Sequence, residues 1–106
     1  MGACAGDDQI ARRLRLLRGA EQDLDLIFRF TIENWGMAQA MAYRDTLFRV
    51  IRTLVDRPGR GSQAGGPRSF RSVKAGKHRV YYTFDEEEVR IVRVLHHRMD
   101  AGRHLM

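Results

Sequence analysis

The sequence predicts a two-layer α+β domain in which two helices cover one face of a sheet. An alternating apolar segment comes first, two long segments with helical periodicity follow, and three further alternating segments come next. Almost no linker separates the two helical segments, so they should form an antiparallel hairpin. Tight turns join the last three alternating segments, so these should form an antiparallel meander in the same sheet.

The first predicted strand covers residues 10–17. Ile10, Leu14 and Leu16 alternate with Arg13 and Arg15, and successive side chains of a strand point to opposite faces of a sheet. The strand is therefore expected to bury one face and to expose a basic one.

The first predicted helix begins near Ala20 and ends at Gly36, a residue type that favours a C-cap. Glu21, Asp23 and Asp25 occupy its first turns, where acids interact favourably with the helix dipole. Apolar residues recur at three- and four-residue steps and give the helix one apolar stripe. The stripe consists of Leu24, Ile27, Phe28, Thr31, Ile32 and Trp35.

The second predicted helix runs from about Ala38 to Asp56 and is ended by Pro58 and Gly59. Its apolar residues also recur at helical spacing, so one face should pack on the sheet. That face consists of Ala40, Tyr43, Leu47, Val50, Ile51 and Leu54.

Both helices carry further apolar residues away from these stripes. Leu26 and Phe30 form an i, i+4 pair on the first helix, and Met41, Phe48 and Val55 recur every seven residues on the second. Two interpretations stay open: a core that is wider than the stripe, or a surface that docks a partner's helix.

The remaining segments are a loop and three strands. Residues 57–68 are rich in Gly and Pro and predict a flexible basic loop, whose glycines lack the spacing of a phosphate-binding motif. Residues 69–75, 78–84 and 89–96 predict the strands of the meander. The acids of residues 85–88 predict a solvated turn rather than a metal site, since four adjacent carboxylates cannot all face one ion.

Composition limits the classes of protein. The 106 residues suit one small domain, expected to span residues 10–106 after a disordered tail of residues 1–9. No apolar run approaches the roughly 18 residues of a membrane span, and the acidic, small-residue N-terminus resembles no secretory signal, so a cytoplasmic protein is expected. The lone Cys4 supports neither an internal disulfide nor a cysteine metal site.

The net charge of +6 lies in the C-terminal half, where residues 57–106 hold eleven Lys or Arg and five acids. This distribution indicates nucleic acid, an acidic protein partner or both. The alternative is that the arginines simply form solvated faces.

The segment R-I-V-R-V-L-H-H-R-M-D, residues 90–100, combines a strand pattern with titratable groups. Alternation places Arg90, Val92, Val94 and His96 on one face and Arg93 on the other, so it separates His96 from His97. Structural roles for these histidines are therefore favoured over an acid-base pair.

The ordered set of short motifs along the chain resembles the ParE toxins of the RelE/ParE superfamily, from residue 14 onward. The C-terminal string is the most specific, because it is similar to the family's R-V-L-H-x-R-M-D. The matching positions are A-E-Q-D-L at 20–24, Ile27, Phe30, Trp35-Gly36, A-Q-A at 38–40, Tyr43, Leu47, Pro58, Gly61, G-K-H at 76–78, Tyr82, R-V-L-H at 93–96, R-M-D at 98–100 and R-H-L at 103–105.

The resemblance implies the RelE/ParE-like fold and a toxin that binds and poisons DNA gyrase without chemistry of its own. It also implies a ParD-like antitoxin that wraps and neutralises the toxin and that alone contacts operator DNA. The off-stripe residues Leu26, Phe30, Met41, Phe48 and Val55 are the candidates for antitoxin binding, although Leu26 departs from the polar residue usual in the family. The candidates for target binding are Arg68, Arg71, Arg93, His96, Arg98 and Met99.

Two alternatives accompany this prediction. A RelE-like ribosome-dependent endoribonuclease would need a base, an acid and fixed cations around one phosphate. The histidines and arginines supply such groups, but the chain has no lysine cluster and no tyrosine in residues 100–106 of the kind many such nucleases carry. The other alternative is a non-toxic relative that retains antitoxin binding. No catalytic residue, metal or cofactor is assigned.

Overall fold

The computed structural model describes residues 12–65 and 70–96. The predicted order of strand, two helices and strands is confirmed within these ranges. The predicted tail of residues 1–9, and Ile10 of the first strand, lie outside the described residues. The elements are β1 (Arg13–Leu16), α1 (Arg18–Trp35), α2 (Met37–Asp56), a short 3-10 turn (Pro58–Arg60), β2 (Ser62–Gly65), β3 (Phe70–Ala75), β4 (His78–Phe84) and β5 (Glu88–His96).

The strands form one mixed sheet in the order β1-β5-β4-β3-β2. β1 pairs with β5 in parallel, with Leu14 opposite Val89, and the other pairs are antiparallel. The parallel pair needs a long crossover, which the helix hairpin supplies. The predicted meander of β3, β4 and β5 is therefore confirmed, together with the two-layer α+β class.

The prediction of a flexible loop over residues 57–68 is wrong for part of that segment. Residues 62–65 form β2, in which Ser62 lies opposite Ser72 of β3. The backbone N–H of Gly61 donates to the Tyr82 hydroxyl at 3.0 Å, and that hydroxyl donates to the Pro58 carbonyl at 2.6 Å. These long-range contacts hold a segment whose own residues show no strand alternation.

The core lies between the hairpin and one face of the sheet. The α2 stripe is confirmed at Leu47, Ile51 and Leu54, which are at most 1% exposed. They pack with Val80, Tyr82, Val89, Ile91 and Val94 of the sheet and with Ala20 of α1. On α1, Leu24 and Ile27 pack against this core and Thr31 is buried.

Trp35 is 61% exposed, which contradicts its predicted place in the stripe. It is the last residue of α1, and its ring instead meets the Phe30 ring edge-on at 6.0 Å.

A bulge in β5 changes the predicted alternation of that strand. Tyr81 lies opposite Arg93, whereas Tyr82 lies opposite Ile91, so Val92 is the extra residue. Ile91 and Val94 consequently both face the core. Arg90 lies on the opposite face, where it bonds Thr83. The predicted grouping of Arg90 with Val94 is therefore wrong, because the prediction assumed an unbroken pleat.

The turn between β3 and β4 depends on Gly76. Its φ of 61° is a left-handed conformation that favours glycine, and a Cβ atom there would lie 2.7 Å from the Tyr43 ring. This close approach lets α2 reach the turn. Among the described helices, none is long and apolar enough to cross a membrane.

Candidate binding surfaces

A groove of about 540 Å³ lies between α1, the start of α2 and the end of the sheet where β4 begins and β5 ends. Three large apolar side chains of α1 line it while more than half exposed: Leu26 at 61%, Phe30 at 57% and Trp35 at 61%. Lys77, His78 and His96 line its other end, and Ile27, Thr31, Gln39 and Tyr43 complete the lining. We call this surface the α1 groove.

A cluster of rings forms the polar end of the α1 groove. His78 and His96 face each other across the β4–β5 pair, with ring centroids 5.4 Å apart and the planes nearly perpendicular. The Tyr43 hydroxyl lies 2.6 Å from Nδ1 of His78 and accepts the backbone N–H of Lys77 at 2.8 Å. Burial raises the pKa of Tyr43, and the hydrogen bond from Lys77 opposes this shift. Tyr43 therefore stays protonated at neutral pH and supports the imidazole as a neutral phenol.

The sequence prediction found only part of this cluster. The sequence pattern draws attention to His96, but it places Tyr43 in the helix stripe and His78 in a strand. Tyr43 and His78 are 35 residues apart, and they meet because α2 crosses the β3–β4 turn. The available signal was the G-K-H turn followed by a strand that pairs with the segment ending at His96.

Arg93 is bound within the fold. Its Nε and Nη2 donate to the two carboxylate oxygens of Asp23, at 2.7 and 2.9 Å, and the Val94 N–H donates to the same carboxylate at 2.9 Å. The hydrogen bond to Asp23 raises the pKa of Arg93. Gly19 permits the approach, since a Cβ there would lie 2.8 Å from Cδ of Arg93. This fork attaches α1 to the bulge of β5, whereas Asp23 was predicted only as a helix-dipole acid.

Arg71 supports the turn before β2. Its Nη1 donates to the Gly61 carbonyl at 2.8 Å, and its guanidinium lies 5.9 Å from the centroid of the Phe84 ring. The other predicted target-binding residues, Arg68, Arg98 and Met99, lie outside the described residues, as does His97.

The five predicted antitoxin-binding residues fall on two surfaces. Leu26 and Phe30 line the α1 groove, whereas Met41, Phe48 and Val55 on α2 do not. Met41 is 52% exposed, but Phe48 and Val55 are half-buried. The Arg44 guanidinium lies 5.6 Å from the Phe48 ring centroid and 5.9 Å from that of Phe28, so it joins the two helices. The wider-core interpretation therefore suits Phe48, and the docking interpretation suits Leu26 and Phe30.

The acidic turn before β5 is held by its own hydrogen bonds. The Asp85 carboxylate accepts the N–H groups of Glu87 and Glu88 at 2.8 and 3.0 Å and binds Arg90 at 3.1 Å. The backbone bonds from Glu88 and Glu87 are the main reason that the pKa of Asp85 falls to about 2. Within residues 12–65 and 70–96, no group of three or more His, Cys, Asp or Glu side chains could hold a metal ion.

The fold is shared with chains in solved structures of toxin–antitoxin systems. The structure of a chromosomal ParDE toxin–antitoxin system from P. aeruginosa superposes with a TM-score of 0.74 at 19% identity, covering 81% of this chain and 96% of that one. A toxin–antitoxin complex RelBE2 from Mycobacterium tuberculosis gives a TM-score of 0.64 at 20% identity, covering 85% and 95%.

The sequence identifies the family within this class. Residues 14–101 match the family model described as ParE toxin of type II toxin-antitoxin system, parDE. Toxin ParE1 of Caulobacter vibrioides is 37% identical over 92 residues, covering 86% of this chain and 95% of the relative. Toxin ParE1 of Mycobacterium tuberculosis is 33% identical over 99 residues, covering 91% and 100%. The chain belongs to the ParE toxin family of type II toxin–antitoxin systems, and the resemblance drawn from its motifs is confirmed.

Proposed function

We propose that this protein inhibits bacterial growth by binding and poisoning DNA gyrase, and that a ParD-like antitoxin encoded beside it keeps it inactive. The observation that supports this proposal most is the match to the ParE family over residues 14–101. The protein is proposed to act in the cytoplasm, where gyrase and its DNA are found.

The contacts of the basic residues favour inhibition by binding over catalysis. Arg93 is bound to Asp23, Arg90 to Asp85 and Glu88, and Arg71 to a backbone carbonyl. A ribonuclease site needs cations that converge on one phosphate, and these three serve other contacts. Target binding is proposed for His96 together with Arg68, Arg98 and Met99. For Arg71 and Arg93, an experiment must distinguish direct contact with the target from a role in stabilising the fold.

The second candidate is a RelE-like endoribonuclease, and one observation favours it. Tyr43, His78 and His96 bring a phenol and two imidazoles together beside Lys77. Imidazole can act as general base or general acid near neutral pH. In such an enzyme one histidine would take the 2′-hydroxyl proton as that oxygen attacks the phosphorus, and the other histidine would protonate the leaving 5′-oxygen as its bond to phosphorus breaks. Lys77 would stabilise the phosphorane charge.

Induction of the toxin without its antitoxin distinguishes these functions. DNA synthesis and translation are followed separately by pulse labelling during the first minutes after induction. The proposal predicts that DNA synthesis stops first and that chromosomal breaks accumulate. If translation stops first, the ribonuclease is favoured and the gyrase proposal fails. Unimpaired growth would instead indicate a non-toxic relative that only binds antitoxin.

A further inference from the structure

Three basic side chains surround the turn between β3 and β4. Lys74, Lys77 and Arg79 line a depression of about 290 Å³ together with Gly76 and His78, and we call these three residues the basic turn patch. We propose that the basic turn patch binds the phosphodiester backbone of duplex DNA. This inference rests on the proposed function and deepens it, because a toxin that contacts both gyrase and the DNA held by gyrase stabilises the cleaved complex through both partners.

Two of the three cations form a like-charge pair across the strands. Lys74 lies directly opposite Arg79 in the antiparallel pair of β3 and β4, so the two side chains project from the same face with Cα atoms about 4.5–5.5 Å apart. That face is the outer one, because Val73, Ala75 and Val80 at the alternate positions pack in the core. Like charges directly opposite each other destabilise a sheet. A bound anion would remove this cost.

No acid of the described chain neutralises this pair. Within residues 12–65 and 70–96, neither Lys74 nor Arg79 forms an ion pair, and the described lining of the depression contains no Asp or Glu. The acidic turn of residues 85–88 lies at the other end of β4, about 20 Å away by the rise of a strand. Its carboxylates pair with three other arginines, namely Arg13, Arg15 and Arg90. The outer face of the sheet is therefore most positive toward the β3–β4 turn.

The basic turn patch is held in position by the fold. Nε of Arg79 donates to the Ser72 hydroxyl at 3.2 Å, which orients the guanidinium and uses one of its five N–H donors. The backbone N–H of Lys77 donates to the Tyr43 hydroxyl at 2.8 Å, so α2 fixes the turn from which Lys77 projects. Groups that are already oriented lose less entropy on binding, so this arrangement favours affinity for an anion.

The basic turn patch contains no exposed apolar side chain, which favours a duplex over other anionic partners. The large apolar residues exposed in the described chain lie on β1 and the two helices, and Tyr81 and Leu95 beside Arg79 are at most 8% exposed. Protein interfaces are anchored by apolar and aromatic side chains, and single strands stack on aromatic rings. Contacts to the phosphates of a duplex need only cations and hydrogen-bond donors. A second copy of this chain, with its own charge of +6, would be repelled.

The salt dependence of DNA binding tests this inference without gyrase. The probe is a short fluorescent DNA duplex of mixed sequence, titrated with the purified full chain and followed by anisotropy at several salt concentrations. Three phosphate contacts predict that the logarithm of the binding constant falls with the logarithm of salt concentration with a slope of about −2.7. Lys74→Gln and Arg79→Gln should each reduce the magnitude of this slope by about 0.9 and weaken binding roughly eightfold at about 0.1 M salt.

Matched variants separate the basic turn patch from the net charge and from the fold. Arg13→Gln removes the same charge at the acidic end of the sheet, where the Arg13 side chain is 81% exposed. It should keep the slope and stay within about twofold of the unmodified chain, because salt screens charges this far from the patch. Arg79→Lys keeps the charge and should retain the slope. Lys74→Gln relieves the repulsion across the strands, so its urea midpoint should equal or exceed that of the unmodified chain while DNA binding weakens.

A second assay measures how much toxin is needed to trap cleaved DNA on gyrase, and it separates this inference from the proposed function. The double variant Lys74→Gln, Arg79→Gln should need about tenfold more toxin or greater. Equal trapping by the double variant, absence of duplex binding, or equal effects of Lys74→Gln and Arg13→Gln would each overturn the inference, while trapping by the unmodified chain would leave the proposed function intact. Binding of the duplex through the patch by a chain that traps no gyrase would support the DNA contact and overturn the proposed function.

Two competitors identify the anion that the basic turn patch prefers. The duplex should bind more tightly than polyglutamate or oligo(U) at equal charge concentration. Tighter binding of polyglutamate, lost in Lys74→Gln, would assign the patch to an acidic protein and overturn the inference. Tighter binding of oligo(U) would assign it to single-stranded RNA, with the same consequence.

Discussion

Asp23→Asn should destabilise the fold strongly, although Asp23 lies in the polar first turns of a helix. Its carboxylate is only 11% exposed, and it binds both donor nitrogens of the Arg93 fork and the Val94 N–H. Removing one partner of a buried pair costs about 3–5 kcal/mol. The Arg93 side chain is 26% exposed, so water can solvate part of its charge. An asparagine at position 23 can still accept the Val94 N–H. Both effects offset part of the cost in stability. We expect a loss of about 2–3 kcal/mol, against a total stability of about 5–15 kcal/mol.

Urea unfolding followed by circular dichroism measures this loss, which corresponds to a fall of roughly 10–20 °C in Tm for a domain of this size. The control is Asp25→Asn, the same change two residues away. Asp25 makes only an exposed i, i+4 pair with Arg29, which is worth about 0.3–0.5 kcal/mol. Equal effects of the two variants would refute the structural role assigned to Asp23.

A comparison of Asp23→Asn with Arg93→Ala clarifies the role of Arg93 in toxicity. If Arg93 acts through the fold, Arg93→Ala and Asp23→Asn should reduce toxicity in proportion to the stability that each removes. If Arg93 touches the target, Arg93→Ala should reduce toxicity well beyond Asp23→Asn at matched stability. Growth inhibition measured against soluble toxin level separates the two cases.

Three further predictions concern the turns of the sheet and the ring cluster. Tyr43→Phe removes the hydroxyl that accepts the Lys77 N–H and bonds His78; it should cost about 1 kcal/mol in urea unfolding, and an unchanged midpoint would contradict this role. Gly76→Ala forces a Cβ into a positive-φ position that faces the Tyr43 ring, so it should cost more than about 1 kcal/mol; a stabilised variant would show that the turn relaxes freely. The pKa of Asp85 falls from 3.8 to about 2 in the folded chain, so its hydrogen bonds stabilise the fold above roughly pH 5 and this contribution is lost as pH falls toward 2. Asp85→Asn should therefore flatten the decline of the urea midpoint over that range, and an unaltered pH profile would contradict the assignment.

The parts of the fold that could be predicted from sequence are those with strong local periodicity. In both helices and in the three C-terminal strands, the spacing of the apolar residues is compatible with one buried face. The observed bounds of these elements agree with the predicted ones within about two residues. β2 could not be predicted, because its residues become a strand only through pairing with β3 and the hydroxyl of Tyr82.

The sequence predicts residues of the α1 groove only where helical spacing indicates that an apolar side chain lies away from the core. Leu26 and Phe30 are off-stripe apolar residues, and they prove to be exposed in the α1 groove. Trp35 fits the stripe by spacing, but a residue at the end of a helix can lie beyond the core. The burial of Asp23 depends on a contact with a residue 70 positions away along the chain, and the bulge at Val92 is defined only by the pairing of β5 with β4. Neither feature leaves a local signal in the sequence.

The proposed activity of this ParE-family protein is the inhibition of DNA gyrase by binding. Purified toxin, incubated with gyrase, ATP and relaxed plasmid, tests it most directly when cleaved DNA is released by detergent and protease. If the toxin poisons gyrase, supercoiling should fall and linear DNA released from gyrase should accumulate with toxin concentration, and added antitoxin should reverse both effects. Gyrase that supercoils normally in saturating toxin, while the same toxin cleaves messenger RNA on ribosomes, would contradict it.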